Sequence, residues 1–315
     1  MLPLTNPFTW GVEKVRAPEA WAKGVTGQNI VVGIIDSGVR GTHEALRDNF
    51  LGVYGWLDPE LHSAEPYDNA GHGTHVAGSA VGHNGIGVAP GAKWMGCKAC
   101  RADFCLEAEM IECTQFMLCP TDTNGDNRDC SKAPRVINNS WGVNQGSTQY
   151  KPIVEAWRSA GIIPVVASSN VLPDCGTVES PADYPNVIAV GATNTDDSLL
   201  WFSAVGPTPA GLLKPEVTAP GGDVYSAWTG SDSAYNLDSG TSMASPHVAG
   251  AIALLLSAKP DLTYDQILEV LTSTTDTATL VSENRTCGGT PDNVFPNNIF
   301  GYGRINVLNA VNQHK

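Results

Sequence analysis

Short apolar runs alternate with helical patterns along most of the chain, and this alternation restricts the folds that the sequence can adopt. The apolar runs are bounded by turn residues, which is typical of strands buried on both faces. Strands that alternate with helices pair in parallel through right-handed crossovers, and the helices cover both faces of the sheet. The sequence therefore predicts an α/β fold whose chemistry gathers beyond the carboxyl ends of the strands.

The predicted elements fill most of the sequence. Strands are expected at residues 30–36, 93–99, 135–141, 162–168 and 186–192. Helices are expected at residues 72–82, 105–119, 151–160, 241–258, 263–274 and 305–313. No internal repeat or low-complexity linker divides the chain, so residues 1–315 are expected to form a single domain. A chain of this length buries about 75% of its unfolded surface in one core.

Composition argues against several classes of partner. The formal net charge is −14 and the 18 lysines and arginines form no basic run, which argues against nucleic-acid binding. The apolar run 249–258 is too short to span a bilayer and predicts a core helix. The first residues lack the basic start and apolar centre of a signal peptide, so any secretion signal is expected to lie outside this sequence.

Six of the eight cysteines lie between residues 97 and 130. The pair Cys97-x-x-Cys100 could begin a zinc site, but no second paired motif follows it, so disulfides are favoured. If the six cysteines pair among themselves, Cys175 and Cys287 are left to pair with each other. Disulfides imply an oxidising compartment.

A polar loop at residues 119–135 carries four candidate calcium ligands, Asp122, Asn124, Asp126 and Asp129. Their oxygen atoms suit calcium, but their spacing differs from that of the known calcium-loop pattern. A solvated acidic turn is therefore the favoured interpretation.

Three stretches supply the residue types that nucleophilic catalysis needs. A serine hydroxyl is a poor nucleophile unless a base removes its proton, and a third group must orient that base. Asp36 ends a predicted strand, and His72 opens a predicted helix between two glycines. Ser242 lies at the start of the helix 241–258, where free backbone N–H groups stabilise negative charge. Each residue alone fits a capping or turn role, but together they indicate a hydrolase.

The order Asp, His, Ser along the chain discriminates between classes of hydrolase. Subtilisin has this order, whereas α/β-hydrolases have the order Ser, Asp, His. Chain order therefore rejects an esterase of the α/β-hydrolase type. A zinc-dependent hydrolase that uses Cys97, Cys100 and His75 is another alternative, and it predicts free thiols.

The sequence resembles the subtilisin-like serine proteases, the subtilases of peptidase family S8. The matching stretches are "WGVEKVRAPEAW", "VVGIIDSGV", "GHGTHVAG", "GVAPGAKW", "INNSWG", "SPADYPNVIAVGA", "GTSMASPHVAG" and "GYGRINVLNAV". The cysteine-rich insertion and "INNSWG" are most similar to the bacillopeptidase F-like secreted branch. The resemblance implies a three-layer α/β sandwich around a largely parallel sheet of about seven strands.

The resemblance also implies catalytic roles. Ser242 is the expected nucleophile, His72 the general base and then acid, and Asp36 the carboxylate that fixes the imidazole tautomer. Asn170 matches the side-chain amide that holds the oxyanion with the Ser242 backbone N–H. The family usually has Ala-Gly-Asn here, whereas this chain reads "ASSN". If position 169 needs a positive φ, a serine there can reorient the amide.

Substrate-binding residues are implied in the same way. The walls of the specificity cleft match Ser140, Trp141 and Gly142 on one side and Ala167, Ser168 and Ser169 on the other. An extended substrate backbone would add along these walls as a strand. Glu179 maps near the floor of the pocket, where it would favour Lys or Arg before the scissile bond. A solvent-facing loop carboxylate is the alternative interpretation of Glu179.

The resemblance finally implies a secreted monomeric endopeptidase with polypeptide substrates and its own propeptide as folding aid and inhibitor. No cofactor is expected to be required. The short segment 81–90 predicts loss of the tight calcium site that many subtilisins carry there, although another structural calcium ion is allowed. A catalytically impaired relative that acts as a binding module is the remaining alternative, and "ASSN" is its support.

Overall fold

Seven parallel strands form one sheet, and helices cover both of its faces. The structure, a computed structural model, describes residues 7–102, 104–171 and 174–313. The strands are β1 (Val31–Asp36), β2 (Trp56–Leu57), β3 (Lys93–Lys98), β4 (Val136–Asn139), β5 (Ile163–Ala167), β6 (Ile188–Thr193), β7 (Val217–Pro220), β8 (Val224–Ala227), β9 (Tyr235–Asp238), β10 (Thr286–Cys287) and β11 (Thr290–Pro291). The helices are α1 (Trp10–Lys14), α2 (Ala17–Trp21), α3 (His72–Val81), α4 (Glu107–Leu118), α5 (Lys151–Ser159), α6 (Thr241–Ala258), α7 (Tyr264–Ser273) and α8 (Val307–Asn312).

The strand order in the large sheet is β2-β3-β1-β4-β5-β6-β7, with every pair parallel. Strands β8 and β9 form a separate antiparallel pair, as do β10 and β11. Asp36 pairs with Lys98 of β3 in register, and Ile35 pairs with Asn139 of β4. The carboxyl ends of the central strands therefore meet at one edge of the sheet, as the sequence predicts.

Successive side chains of β1 point to opposite layers, which is why the strand reads as continuously apolar. Val32 and Ile34 join the core formed with α3 and α6. Ile35 joins the core formed with α4 and α5 on the other face. Gly33 allows α4 to pack closely, since a Cβ there would lie 2.7 Å from the Met117 sulfur. The predicted three-layer α/β sandwich is confirmed.

Helix α6 is buried along most of its length. It is the one helix in the described ranges that is long and apolar enough to cross a membrane by length and composition. The helix is 83% buried, and it packs against α3 and five strands of the large sheet. Each of its fully buried leucines stabilises the fold by about 1.5–3 kcal/mol. Core burial accounts for the apolar character of this helix.

All eight cysteines are paired in disulfides. The pairs are Cys97–Cys113, Cys100–Cys105, Cys119–Cys130 and Cys175–Cys287. The pairing expected for Cys175 and Cys287 is thus confirmed. The zinc alternative is wrong because Cys97 and Cys100 are both disulfide-bonded and provide no thiolate.

The four disulfides close loops of different length, so they are expected to stabilise the protein unequally. Cys175–Cys287 joins residues 112 apart, whereas Cys119–Cys130 joins residues 11 apart. Loop-closure entropy predicts losses in the free energy of unfolding of about 5 and about 3 kcal/mol when each is removed. Chemical denaturation of the paired cysteine-to-alanine variants measures both. Equal losses would contradict the entropic explanation.

Candidate active site

Asp36 and His72 form a hydrogen-bonded pair at the carboxyl edge of the sheet. Asp36 ends β1, and His72 is the first residue of α3. The His72 Nδ1 atom lies 2.8 Å from Asp36 Oδ1, where an Nδ1–H donates to the carboxylate. The carboxylate also accepts the backbone N–H of Ser37 at 2.7 Å. Because the Asp36 side chain is only 4% exposed, these donors replace the water that it loses on folding.

The glycines on either side of His72 are required by close packing. A Cβ on Gly73 would lie 2.1 Å from the Gly38 carbonyl oxygen and 2.9 Å from the Asp36 Cβ. Gly71 has a φ of 102°, and a Cβ there would lie 2.5 Å from the Trp228 ring. The sequence Gly-His-Gly therefore allows α3 to approach β1 closely enough for the Asp36–His72 hydrogen bond.

The carboxylate raises the basicity of the imidazole. Burial disfavours the charged ring, but the negative charge and hydrogen bond of Asp36, together with two more distant carboxylates, outweigh burial and raise the pKa of His72 to about 9. The His72 side chain remains 35% exposed, so substrate and solvent can reach its outer edge. A nearby carboxylate that accepts from Nδ1 leaves Nε2 as the atom that exchanges a proton.

Ser242 lies in the first turn of α6, and two hydrogen bonds with Ser140 hold it there. Pro246 lacks an N–H, so the Ser242 carbonyl receives no hydrogen bond from the helix. The Ser140 hydroxyl donates to that carbonyl instead, at 2.9 Å. The Ser242 hydroxyl in turn donates to the Ser140 carbonyl oxygen at 3.3 Å. These two bonds join the start of α6 to the residue that follows β4.

The amide of Asn170 has a fixed orientation. Its Oδ1 accepts the backbone N–H of Thr241 at 2.9 Å and the Thr241 hydroxyl at 3.0 Å. Both partners act as donors there, so the oxygen must point to Thr241 and the NH₂ group must point away from it. The Asn170 Nδ2 atom has no hydrogen-bond partner in the described part of the chain. It lies beside Gly240 at the rim of the cleft. It is therefore free to donate to a ligand.

Two adjoining cavities bring these residues into one cleft. The larger, about 460 Å³, is lined by Asp36 and His72, and its far wall carries the disulfide Cys100–Cys105. The smaller, about 240 Å³, is lined by Ser140, Trp141, Gly142, Ala167, Ser169, Asn170, Glu179, Thr241 and Ser242. The segment 140–142 lines both cavities.

Ser168 does not line this cleft, unlike the other residues expected to bind substrate. Its side chain is fully buried behind the wall and donates to the Ala204 carbonyl at 3.2 Å. Ser169 lines the smaller cavity and has a φ of 99°, in the region that favours glycine. The amide of Asn170 nevertheless keeps the orientation fixed by Thr241.

Comparison with known proteins identifies relatives along almost the whole chain. The model described as the subtilase family matches residues 27–303. The chain belongs to the subtilase family. Bacillopeptidase F of Bacillus subtilis (strain 168) is 39% identical over 328 residues, which cover 98% of this chain and 22% of that protein. Subtilisin NAT of Bacillus subtilis subsp. natto is 36% identical over 272 residues, which cover 84% of this chain and 65% of that protein.

Serine protease AprX of Bacillus subtilis (strain 168) is 32% identical over 320 residues, or 91% of this chain and 67% of that protein. The predicted resemblance is confirmed, including the similarity to bacillopeptidase F. The chain spans less than two thirds of the length of bacillopeptidase F and subtilisin NAT.

Two residues that position the site in this subtilase were not found by sequence reasoning. Asp68 Oδ1 accepts the backbone N–H groups of Ala70 and Gly71, and Oδ2 accepts that of Thr74 at 3.0 Å. It therefore satisfies free N–H groups at the start of α3. The second residue is Lys98, whose buried ammonium donates to the carbonyl oxygens of Ser37 and Cys100. The position of Asp68, four residues before His72, is the sequence signal that could have indicated its role.

Two other histidines of the matching sequence stretches, His75 and His247, have structural roles. Burial lowers the pKa of His75 to about 4 and that of His247 to about 4, so both are neutral at ordinary pH. His75 Nε2 donates to the Val224 carbonyl at 2.9 Å. His247 Nδ1 donates to the Met243 carbonyl at 2.8 Å. Both side chains are fully buried.

The polar loop 119–135, expected to be an acidic turn rather than a calcium site, bonds to its own backbone. Asp122 Oδ1 accepts the N–H groups of Asn124 and Asp126, and Oδ2 accepts the Asn127 amide at 2.7 Å. Asp129 accepts both the N–H and the hydroxyl of Ser131. In the described ranges, no three His, Cys, Asp or Glu side chains are placed to hold a metal ion. The bonds of Asp122 are those of a self-satisfied acidic turn.

Removing the Asp36 charge is expected to lower the pKa of His72. In the natural protein, the NMR titration of this imidazole should have its midpoint above 6.5, and in Asp36→Asn it should fall to 6.5 or below. Because the folded pKa exceeds the unfolded one, protonated His72 stabilises the fold below pH 6.5, and this contribution is lost as the pH rises through about 9. An unchanged midpoint would show that Asp36 does not control the imidazole.

Proposed function

We propose that this subtilase is a secreted serine endopeptidase that hydrolyses peptide bonds through an acyl-enzyme on Ser242. The observation that carries the proposal is the placement of the Asp36–His72 pair and Ser242 around one cleft. Family membership supports the same reaction class. The four disulfides support an extracellular location, since such bonds persist in oxidising compartments.

In the proposed reaction, His72 acts first as a base and then as an acid. Nε2 takes the proton of the Ser242 hydroxyl while the oxygen attacks the substrate carbonyl, and Asp36 holds the ring through Nδ1–H. The hydroxyl must first leave the Ser140 carbonyl, which requires only rotation about its Cα–Cβ bond. His72 then protonates the leaving amine as the C–N bond breaks. Water, activated in the same way, releases the acyl group.

Two donors would stabilise the oxyanion. The Ser242 backbone N–H lies at the start of α6, where helical N–H groups have no partner within the helix. The Asn170 NH₂ group is the second donor, and Thr241 fixes its direction before substrate binds. Donors that are already oriented need no reorganisation during the reaction, which is the main source of their effect on rate.

Extended polypeptides are the proposed substrates. The segments 140–142 and 167–169 flank the smaller cavity, and a substrate strand between them would bind through its backbone, which allows broad specificity. Among the described residues that line this cavity, Glu179 supplies the one carboxylate, so it would favour Lys or Arg before the scissile bond. In this proposal, the enzyme acts as a monomer and requires no cofactor. Its own propeptide assists its folding and inhibits its activity.

Labelling with a fluorophosphonate probe, alongside hydrolysis of a denatured protein, tests the proposed function. The natural protein should be labelled at Ser242 and should cleave the substrate. Ser242→Ala should not be labelled, and its kcat should fall by about 10⁶-fold, as loss of the nucleophile does in subtilisin. Asn170→Ala should still be labelled, with kcat lower by about 10² to 10³-fold, the effect of removing such a donor in subtilisin.

Folded protein that takes no label and cleaves nothing would overturn the endopeptidase proposal and favour a catalytically impaired binding module. Circular dichroism of each variant separates this outcome from loss of the fold.

A further inference from the structure

Ser169 occupies a backbone conformation that side-chain-bearing residues rarely adopt. Its φ is 99°, and such conformations persist where the surrounding structure requires them. The Ser169 carbonyl accepts the N–H of Ala204 at 3.0 Å, and Asn170 forms a bridge with Ser203. Backbone pairing on both sides therefore fixes the direction in which the Ser169 side chain points.

The Ser169 hydroxyl lies against the opposite wall of the smaller cavity. A Cβ built on Gly142 would lie 2.9 Å from Ser169 Oγ and 3.4 Å from Glu179 Oε2. Both oxygens therefore face the same side of Gly142, inside a cavity of about 240 Å³ that also contains Ser242. A glycine at position 169 would leave this space open.

Neither oxygen is satisfied within the protein. Across residues 7–102, 104–171 and 174–313, no hydrogen bond or ion pair is formed by the Ser169 hydroxyl or by the Glu179 carboxylate, although both residues are partly buried. The lining residues that the structure describes include no Lys or Arg. Partly desolvated acceptors of this kind favour a ligand that brings donors and positive charge.

We propose that Ser169 is a specificity-determining residue that acts in two ways on the substrate residue before the scissile bond. Its hydroxyl accepts a hydrogen bond from a Lys ammonium or Arg guanidinium that is paired with Glu179. Its Cβ and hydroxyl also narrow the cavity, which disfavours flat aromatic side chains. The inference rests on the proposed function, because it assigns the smaller cavity to the substrate residue next to Ser242.

Two substitutions at position 169 separate the hydroxyl from the volume of the side chain. Ser169→Ala keeps the Cβ and removes the acceptor, and Ser169→Gly removes both and relieves the backbone conformation. The readout is kcat/KM for peptides that differ only at the residue before the scissile bond, with Lys, Arg, Leu or Phe. The natural protein should prefer Lys and Arg to Phe by at least about tenfold, the effect of one hydrogen bond to a charged group.

Ser169→Ala should lose about fivefold or more of the preference for Lys and Arg, with no gain for Phe. Ser169→Gly should lose the same preference and also gain activity on Phe. Glu179→Gln should lose the preference for basic residues while keeping the discrimination against Phe. Unchanged ratios in both Ser169 variants, or an equal change on all four peptides, would overturn the inference.

A binding measurement makes the test independent of turnover. In the Ser242→Ala background, product peptides ending in Lys should bind at least about tenfold more tightly than peptides ending in Phe, and Ser169→Gly should reduce that ratio. If the natural protein takes no fluorophosphonate label but the ratio behaves in this way, the proposed function fails, and what stands is that Ser169 selects the C-terminal residue of a bound peptide. If labelling and turnover occur and the ratio is close to one, only the assignment of Ser169 fails.

Discussion

The hydrogen bond between Asp36 and His72 is the interaction on which the other features of the site depend. It requires β1 to end at the carboxyl edge of the sheet and α3 to begin against it, a packing that only glycine at position 73 allows. Asp68 holds the start of α3 through its free N–H groups, and Lys98 binds the turn that follows Asp36. Without the donors of His72 and Ser37, the buried Asp36 carboxylate would cost several kcal/mol in desolvation.

The second half of the site depends on the burial of α6. This helix packs against both α3 and the sheet, so Ser242 at its first turn has little freedom to move relative to His72. Pro246 frees the Ser242 carbonyl, and the Ser140 hydroxyl binds it, which links the helix to the wall of the cleft. Thr241 orients Asn170 from the same turn. In the proposed mechanism, one rigid helix would therefore supply the nucleophile, one oxyanion donor and the group that orients the other donor.

The long periodic elements of this fold could be predicted from the sequence, because burial on both faces leaves continuous apolar runs. The predicted helix 241–258 has the bounds of α6, and the predicted strand 30–36 differs from β1 by one residue. The strands β2, β10 and β11 were not predicted because they have only two residues each, and β7, β8 and β9 were not predicted because they have only four. The helices α1 and α2 have five residues each and show no complete apolar period.

Some residues of the site could likewise be predicted from the sequence, and others could not. Asp36, His72 and Ser242 stand out by type and by order, whereas Asp68 and Lys98 act through contacts that only the folded chain creates. The effect of a serine at position 169 depends on its φ, and a sequence cannot supply that angle. The pairing of the six clustered cysteines also required the positions of β3 and α4, which Cys97 and Cys113 join.

The most direct test of the account is a crystal structure of the protein after reaction with a peptidyl boronic acid. We expect a tetrahedral adduct on Ser242 Oγ, with one boronate oxygen about 2.7–3.1 Å from both the Ser242 N–H nitrogen and Asn170 Nδ2. His72 should keep its bond to Asp36 and donate from Nε2 to the adduct. An adduct on another residue, or a boronate oxygen that contacts neither donor, would contradict it.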